Sequence, residues 1–227
     1  MRAYVINLKS RPDRWINVLQ QAEALGLDVT RIEAVSTEDF DKNVSIIPSF
    51  PVAATWMSHQ KAMQEFLDSD ERFGLILEDD FLINKKNFRR LIKYVKRCEF
   101  DFLQFGWVYP HYLDYLSIKV WNLQDRFFKY VARVDERFVP LILRKKRSVV
   151  EQLGIQSDFV LHDIRAGAQA YLISRDFARL CLTLNNPIFL STDGVFMAMG
   201  VSRNLQMART RVNLVHQSGS PSSINLK

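Results

Sequence analysis

Apolar and polar positions alternate in two rhythms along this 227-residue chain. Tyr4-Val5-Ile6-Asn7-Leu8 is a short apolar run with the length and composition of a buried strand. Behind it Ser10 stands where a helix cap belongs, with Pro12 in the first turn and Asp13 at the third position. Trp15, Val18, Leu19 and Ala22 recur at i, i+3, i+4 and i+7, the apolar stripe of a helix that Gly26 ends. The pattern further predicts strands over 29–35, 73–77 and 100–105, a helix over 53–67, and a basic helix between the last two strands. Residues 167–174 read as another strand, feeding a helix over 176–184 that Asn186-Pro187 breaks; Ser191-Thr192-Asp193-Gly194 opens a further helix. Residues 212–215 read as strand-like, 217–225 read as a loop, and 107–160 carry no regular pattern. Strands alternating with helices in this order predict an α/β fold, a Rossmann-like, mostly parallel sheet with helices on both faces. No linker-like tract or repeat divides the chain, so one domain is expected over 1–227.

Composition adds little to that picture, but charge adds more. Hydrophobic residues at 48% and charged residues at 25% are ordinary for a soluble domain of a length that can bury its own core. The 16 phenylalanines read as core filling, and Cys98 and Cys181, both in apolar-patterned segments, as buried thiols. Charge returns too early in MRAYVINLKSRPDR for a signal peptide, and no stretch reaches the roughly 18–20 apolar residues of a membrane span. A cytoplasmic protein is the expectation. The net charge of +6 is concentrated in Lys85, Lys86, Arg89, Arg90, Lys93, Lys96 and Arg97, with a second cluster at Arg144, Lys145, Lys146 and Arg147. Such clusters attract phosphates, whether of nucleic acid, lipid headgroups or a phosphorylated glycan, or simply form a solvated helix face. With no zinc-finger spacing, RNA-binding aromatic signature or basic zipper, no nucleic-acid partner is expected.

Two clusters carry candidate chemistry. Glu78-Asp79-Asp80 directly follows the 73–77 run, hence stands at the carboxyl edge of the sheet, where open α/β folds keep their ligands. In an extended chain Glu78 and Asp80 face one side, roughly 6–7 Å apart, and Asp79 the other. A hard divalent cation neutralises such a triplet, although an exposed acidic turn has the same sequence. Asn7, Arg11, Asp13 and Arg14 surround the end of the first strand and the start of the first helix, a natural anion site. The bland alternative is surface charge with Asp13 as a cap. The glycine-rich dinucleotide and P-loop signatures are absent, as are G-x-S-x-G and H-E-x-x-H. His59 lies on an otherwise apolar helix and reads as a structural histidine within reach of substrate. His216 ends the 212–215 run; it is either a metal ligand from the far end of the chain or a surface histidine. His111 and His162 carry no readable signal. From the residues alone a metal-dependent nuclease, phosphatase or nucleotide-sugar transferase all remain open.

Val5-Ile6-Asn7-Leu8-x-x-Arg11-x-Asp13-Arg14, Ser58-His59 and Leu77-Glu78-Asp79-Asp80 resemble, in order, motifs of glycosyltransferase family 25. Gly167-Ala168-x-Ala170-Tyr171-x-Ile173-Ser174 and Val215-His216-Gln217 with Ser223-Ile224 resemble its later blocks. This family contains lipooligosaccharide biosynthesis transferases and collagen galactosyltransferase domains. The resemblance implies a GT-A-like fold whose first half (1–105) binds the nucleotide sugar, leaving 106–227 for the acceptor. It also implies Mn²⁺ or Mg²⁺ at Glu78 and Asp80, with His216 as a further candidate ligand, and a UDP-sugar donor, typically UDP-galactose, used with inversion. Arg11 and Arg14 are then expected at the nucleotide, Asn7 and Asp13 at its base, ribose or neighbouring loop, and Ser58, His59 and Asp79 in the donor site. Asp193, at a helix start whose N–H groups favour its ionised form, is expected to be the catalytic base, with Asp163 and Asp158 as rivals. The basic clusters fit a lipid-linked glycan acceptor and peripheral contact with the inner face of the cytoplasmic membrane. The chain departs from the family at Ala54-Thr55-Trp56-Met57, which replaces a smaller Gly-Cys-Leu-like run. A non-catalytic carbohydrate-binding or scaffolding protein of the same fold is the alternative.

Overall fold

Ala3, Tyr4, Val5 and Ile6 are all buried, which requires cover on both faces of the strand that carries them. The computed structural model describes residues 2–40, 49–107, 158–200 and 204–218. The second basic cluster, His111, Ser223-Ile224 and nearly all of the 217–225 loop lie outside the described residues. Along the chain the elements are β1 (Arg2–Asn7), α1 (Pro12–Leu25), β2 (Asp28–Glu33), α2 (Phe50–Leu67), β3 (Phe73–Glu78), β4 (Phe81–Leu82) and α3 (Lys85–Lys96). They continue with β5 (Phe102–Gly106), β6 (Phe159–Leu161), β7 (Ala170–Ser174), α4 (Arg175–Thr183), α5 (Thr192–Gly200), β8 (Met207–Thr210) and β9 (His216–Gln217).

Seven strands form one sheet in the order β2-β1-β3-β7-β5-β8-β6, and β4 and β9 form a separate ribbon. β1 pairs in parallel with β2 and β3, and β5 in parallel with β8. β7 runs antiparallel between β3 and β5, and β6 antiparallel beside β8. The α/β expectation therefore holds, with two reversed strands in an otherwise parallel sheet. Side chains alternate across it. Tyr4, Ile6, Ile76, Phe102 and Tyr171 join a core with Trp56 and Phe66 of α2, Phe177 of α4 and Phe196 of α5. Ala3, Val5, Leu75, Leu103 and Leu172 join the opposite core with Val18 of α1 and Leu91 of α3. Cys181 belongs to the first core and Cys98 to the second, both as free, buried thiols. Close packing of α2 needs Gly74, since a Cβ there would lie 2.6 Å from the Phe66 ring.

Three local expectations are corrected. The residue capping α1 is Arg11, with no side-chain cap bond; Asp13 accepts instead from the Arg11 guanidinium. Leu19 of the predicted stripe is exposed. Residues 212–215 are not a strand. Leu214 and Val215 are buried because their side chains pack into the second core, while their backbone N–H groups both donate to Phe105 O; that accounts for their apolarity without a ladder.

Candidate active site

β1, β2 and β3 run in parallel, with Ile6 level with Glu78 and Asn7 with Glu33, so their carboxyl ends meet at one edge. A cleft of about 590 Å³ opens there, within the size range of small-molecule sites. Its walls come from the loop after β2 (34–37), the first half of α2, the 78–80 motif, residues 167–169 before β7, and the start of α5. Both sequence halves contribute.

The acidic motif is not extended beyond Glu78: Asp79 and Asp80 form a tight turn, and both carboxylates lie near Arg14. Arg14 Nη1 donates to Asp79 Oδ1 at 2.8 Å, and Asn7 Nδ2 donates to Asp79 Oδ2 at 2.7 Å. Asp79 is thus a buried anchor that fixes the motif to β1 and α1. Asn7 also donates to Arg11 O and accepts from Arg31, so its hydrogen-bonding capacity is used within the protein. It supports the cleft from beneath and does not line it. Asp13 lies outside the lining, held by Arg11, which does line it.

Asp80 is the member left in tension. Its Oδ1 is buried without a hydrogen-bond partner among the described residues. Burial first, and then the Glu78 charge, push its carboxyl up to about 6, against the opposing pull of Arg14. A carboxylate with an orphaned oxygen beside a second carboxylate has the chemistry to hold a hard divalent cation. Among the described residues no group of three His, Cys, Asp or Glu side chains converges to hold a metal ion. His216 does not join Glu78 and Asp80. It pairs with Leu82 in the β4–β9 ribbon, and alternation sends it away from the cleft that its neighbour Gln217 lines.

Ser58 lines the cleft, but its hydroxyl is occupied, accepting from Val35 N and donating to Ala54 O. It holds the loop after β2 against α2. His59, 1% exposed, meets the Tyr171 hydroxyl through Nδ1 at 2.7 Å, with Nε2 3.6 Å from Glu78 Oε1. Across the cleft, Asp193 is the second residue of α5 and accepts from Gly167 N at 3.1 Å. Its carboxyl is raised above the ordinary range, with burial as the largest cause and the Glu78 charge adding to it. The expectation that helix N–H groups would dominate is corrected: desolvation outweighs them. The rival Asp163 is engaged by Arg165 and Arg209, and Asp158 lies by Arg90; neither lines the cleft.

The sequence reading missed Gln169, Thr192 and Tyr171. Gln169 and Thr192 line the cleft, and Tyr171 stands behind His59. The signal that could have found them is their place beside marked residues, Gln169 and Tyr171 within the Gly167–Ser174 block and Thr192 directly before Asp193.

No helix among the described residues is long and apolar enough to cross a membrane. No curated protein matches the chain in sequence. Among solved structures, S. aureus TarS 1-349 in complex with UDP-GlcNAc is similar at 9% identity and a TM-score of 0.40, over 97% of this chain and 59% of that one. The chain thus spans about 59% of the length of that protein chain. Residues 1–196, which carry every wall of the cleft except Gln217, match glycosyltransferase family 25 (LPS biosynthesis protein), and the chain belongs to that family.

Proposed function

We propose that the chain moves a sugar from a UDP-sugar, with galactose the leading candidate, to a surface-glycan acceptor, inverting the anomeric centre with the help of Mn²⁺ or Mg²⁺. One observation carries this reading: Arg11, the Glu78–Asp80 motif and Asp193 face one cleft of suitable size at the carboxyl edge of the sheet. A bound cation would supply positive charge against the leaving diphosphate. Glu78 and Asp80 are the side chains that would hold it. Among the described residues Arg11 is paired with exposed Asp13, an interaction cheap to exchange for a phosphate, so its guanidinium can turn to the nucleotide. Arg14 keeps its role inside the protein, orienting the motif through Asp79. Asp193 takes the acceptor hydroxyl's proton; its raised carboxyl makes it a stronger base than an ordinary aspartate.

The test is release of UDP from a panel of UDP-sugars, with Mn²⁺ and with chelator. Cation-dependent release is expected, faster when an acceptor glycan is present. Nucleotide binding with no turnover on any donor would leave a carbohydrate-binding protein instead.

The acceptor side of the proposal is a lipid-linked glycan reached from the cytoplasmic face of an anionic membrane. Support comes from α3, where exposed Lys85, Lys86, Arg89, Lys93 and Lys96 fall within an arc of about 100° at 100° per residue, with exposed Arg97 directly after the helix. Cations near an anionic surface contribute about 1 kcal/mol each. Charge reversal at Lys86, Arg89 and Lys93 should therefore abolish most co-flotation with phosphatidylglycerol vesicles while sparing turnover on a soluble acceptor. Equal flotation of parent and variant would remove the membrane from the account.

A further inference from the structure

His59, Gln169 and Thr192 all line the cleft and are 1%, 2% and 2% exposed, yet each carries a buried polar atom with no hydrogen-bond partner among the described residues. The atoms are His59 Nε2, Gln169 Oε1 and Thr192 Oγ1. An orphaned buried polar atom is costly, and three in one wall are best explained by a ligand that completes them.

The identity of each atom restricts that ligand. Tyr171 is fully buried, and burial keeps its hydroxyl protonated. Among the described residues its hydrogen-bond partner is His59 Nδ1, so the O–H donates to that nitrogen and leaves the ring proton on Nε2. The wall then offers a donor at His59, an acceptor at Gln169, and a hydroxyl able to do either at Thr192. Glu78, beside His59, adds a carboxylate acceptor. A phosphate only accepts, so the acceptor Gln169 Oε1 disfavours it at this wall. Neighbouring sugar hydroxyls donate and accept in turn and fit the set.

The wall is also rigid. Gln104 Nε2 donates to Arg165 O and Gly167 O while its Oε1 accepts from Arg165 N, clamping the turn before β7. Gly167 takes a positive φ of 110° in that turn. At Gly106 a Cβ would lie 2.9 Å from Gln169 Cγ, so a glycine there leaves the space in which the Gln169 side chain sits. Glu78 N donates to Gln169 O, tying this wall directly to the acidic motif.

We infer that His59, Gln169 and Thr192 form the subsite for the hydroxyls of the transferred sugar, with Tyr171 as the positioning residue that sets the His59 tautomer. This rests on the transferase reading above. It places the sugar next to Glu78 and Asp193, on the β7–α5 side of the cleft, and leaves the nucleotide to the Arg11 side.

The test is calorimetry of UDP, UDP-galactose, UDP-glucose and UDP-GlcNAc with Mn²⁺ on the parent, Gln169→Ala, Thr192→Val and Thr192→Ser. Loss of one neutral hydrogen bond weakens binding about 3- to 10-fold. The parent should bind one UDP-sugar more tightly than UDP. Gln169→Ala and Thr192→Val should lose that increment while binding UDP within about twofold of the parent, and Thr192→Ser should keep it. Melting curves identify any variant that fails to fold, and the near-isosteric Thr192→Val and Thr192→Ser pair decides the matter if Gln169→Ala does. An undiminished sugar increment in Thr192→Val, or an equal loss of UDP itself, overturns the subsite. A parent that binds no nucleotide at all refutes the transferase reading, and the subsite with it.

Discussion

Asp193→Asn is expected to lower turnover by about 10²-fold or more while donor affinity stays within a few-fold of the parent. Asparagine keeps the shape and an oxygen able to accept from Gly167 N, so the turn before β7 should survive. Only the basic oxygen is lost. The parent's pH profile gives an independent reading. Burial and Glu78 raise the Asp193 carboxyl, so the deprotonated base is depleted at higher pH than an ordinary aspartate would be. The acid limb of kcat/KM should therefore lie at higher pH than an ordinary aspartate would place it, and vanish in the variant. Turnover within a few-fold of the parent would eliminate Asp193 as the base.

The second large effect is at Asp80. Asp80→Asn should remove most activity and at the same time stabilise the metal-free protein at neutral pH. The folded carboxyl titrates at about 6 against 3.8 as the ordinary value. The folded state therefore holds this proton more tightly than the unfolded state. Stability from that excess affinity is fully present below pH 3.8 and is lost as pH rises through about 6. At one pKa unit per 1.36 kcal/mol, the ionised group costs on the order of 3 kcal/mol as an upper bound. Chelated parent and variant should melt alike near pH 4 and diverge toward pH 7, with the variant higher by several degrees. Added Mn²⁺ should narrow the gap by stabilising only the parent. A variant with full activity and no pH-dependent gain would show that Asp80 is an ordinary surface acid.

Most elements were legible in the sequence because their periodicity is set by burial. β1, β3 and β7 are apolar on both faces and read as runs, while α1, α2 and α4 show helical spacing. The sheet order was not legible, since nothing in a strand's own residues says that β7 enters antiparallel between β3 and β5. In the site, Arg11 and the acidic motif could be placed because strand ends and helix starts define the edge where ligands bind. Asn7 and Asp79 were found as members of the right neighbourhood, but the hydrogen bonds from Arg31 and Arg14 that occupy them depend on contacts distant in sequence. His216 was misplaced because burial of Leu214 and Val215 under Phe105 O mimics a strand's apolarity. Gln169 and Thr192 look like isolated polar residues in apolar stretches until the fold sets them in one wall.

The interleaved position of β7 has a consequence for synthesis on the ribosome. β1, β2 and β3 emerge first and can pair with one another, yet the second edge of β3 waits for a strand encoded about ninety residues later. At about 5–20 residues per second that edge stays open for about 5 to 18 s, offering apolar Leu75, Ile76 and Leu77 to any other extended chain. The cleft wall built from residues 167–169 and 191–193 arrives with the strand that closes this edge. Nascent chains are therefore most prone to association with one another before the cleft is complete, and slower translation between β3 and β7 should lower soluble yield more than the same delay after α5.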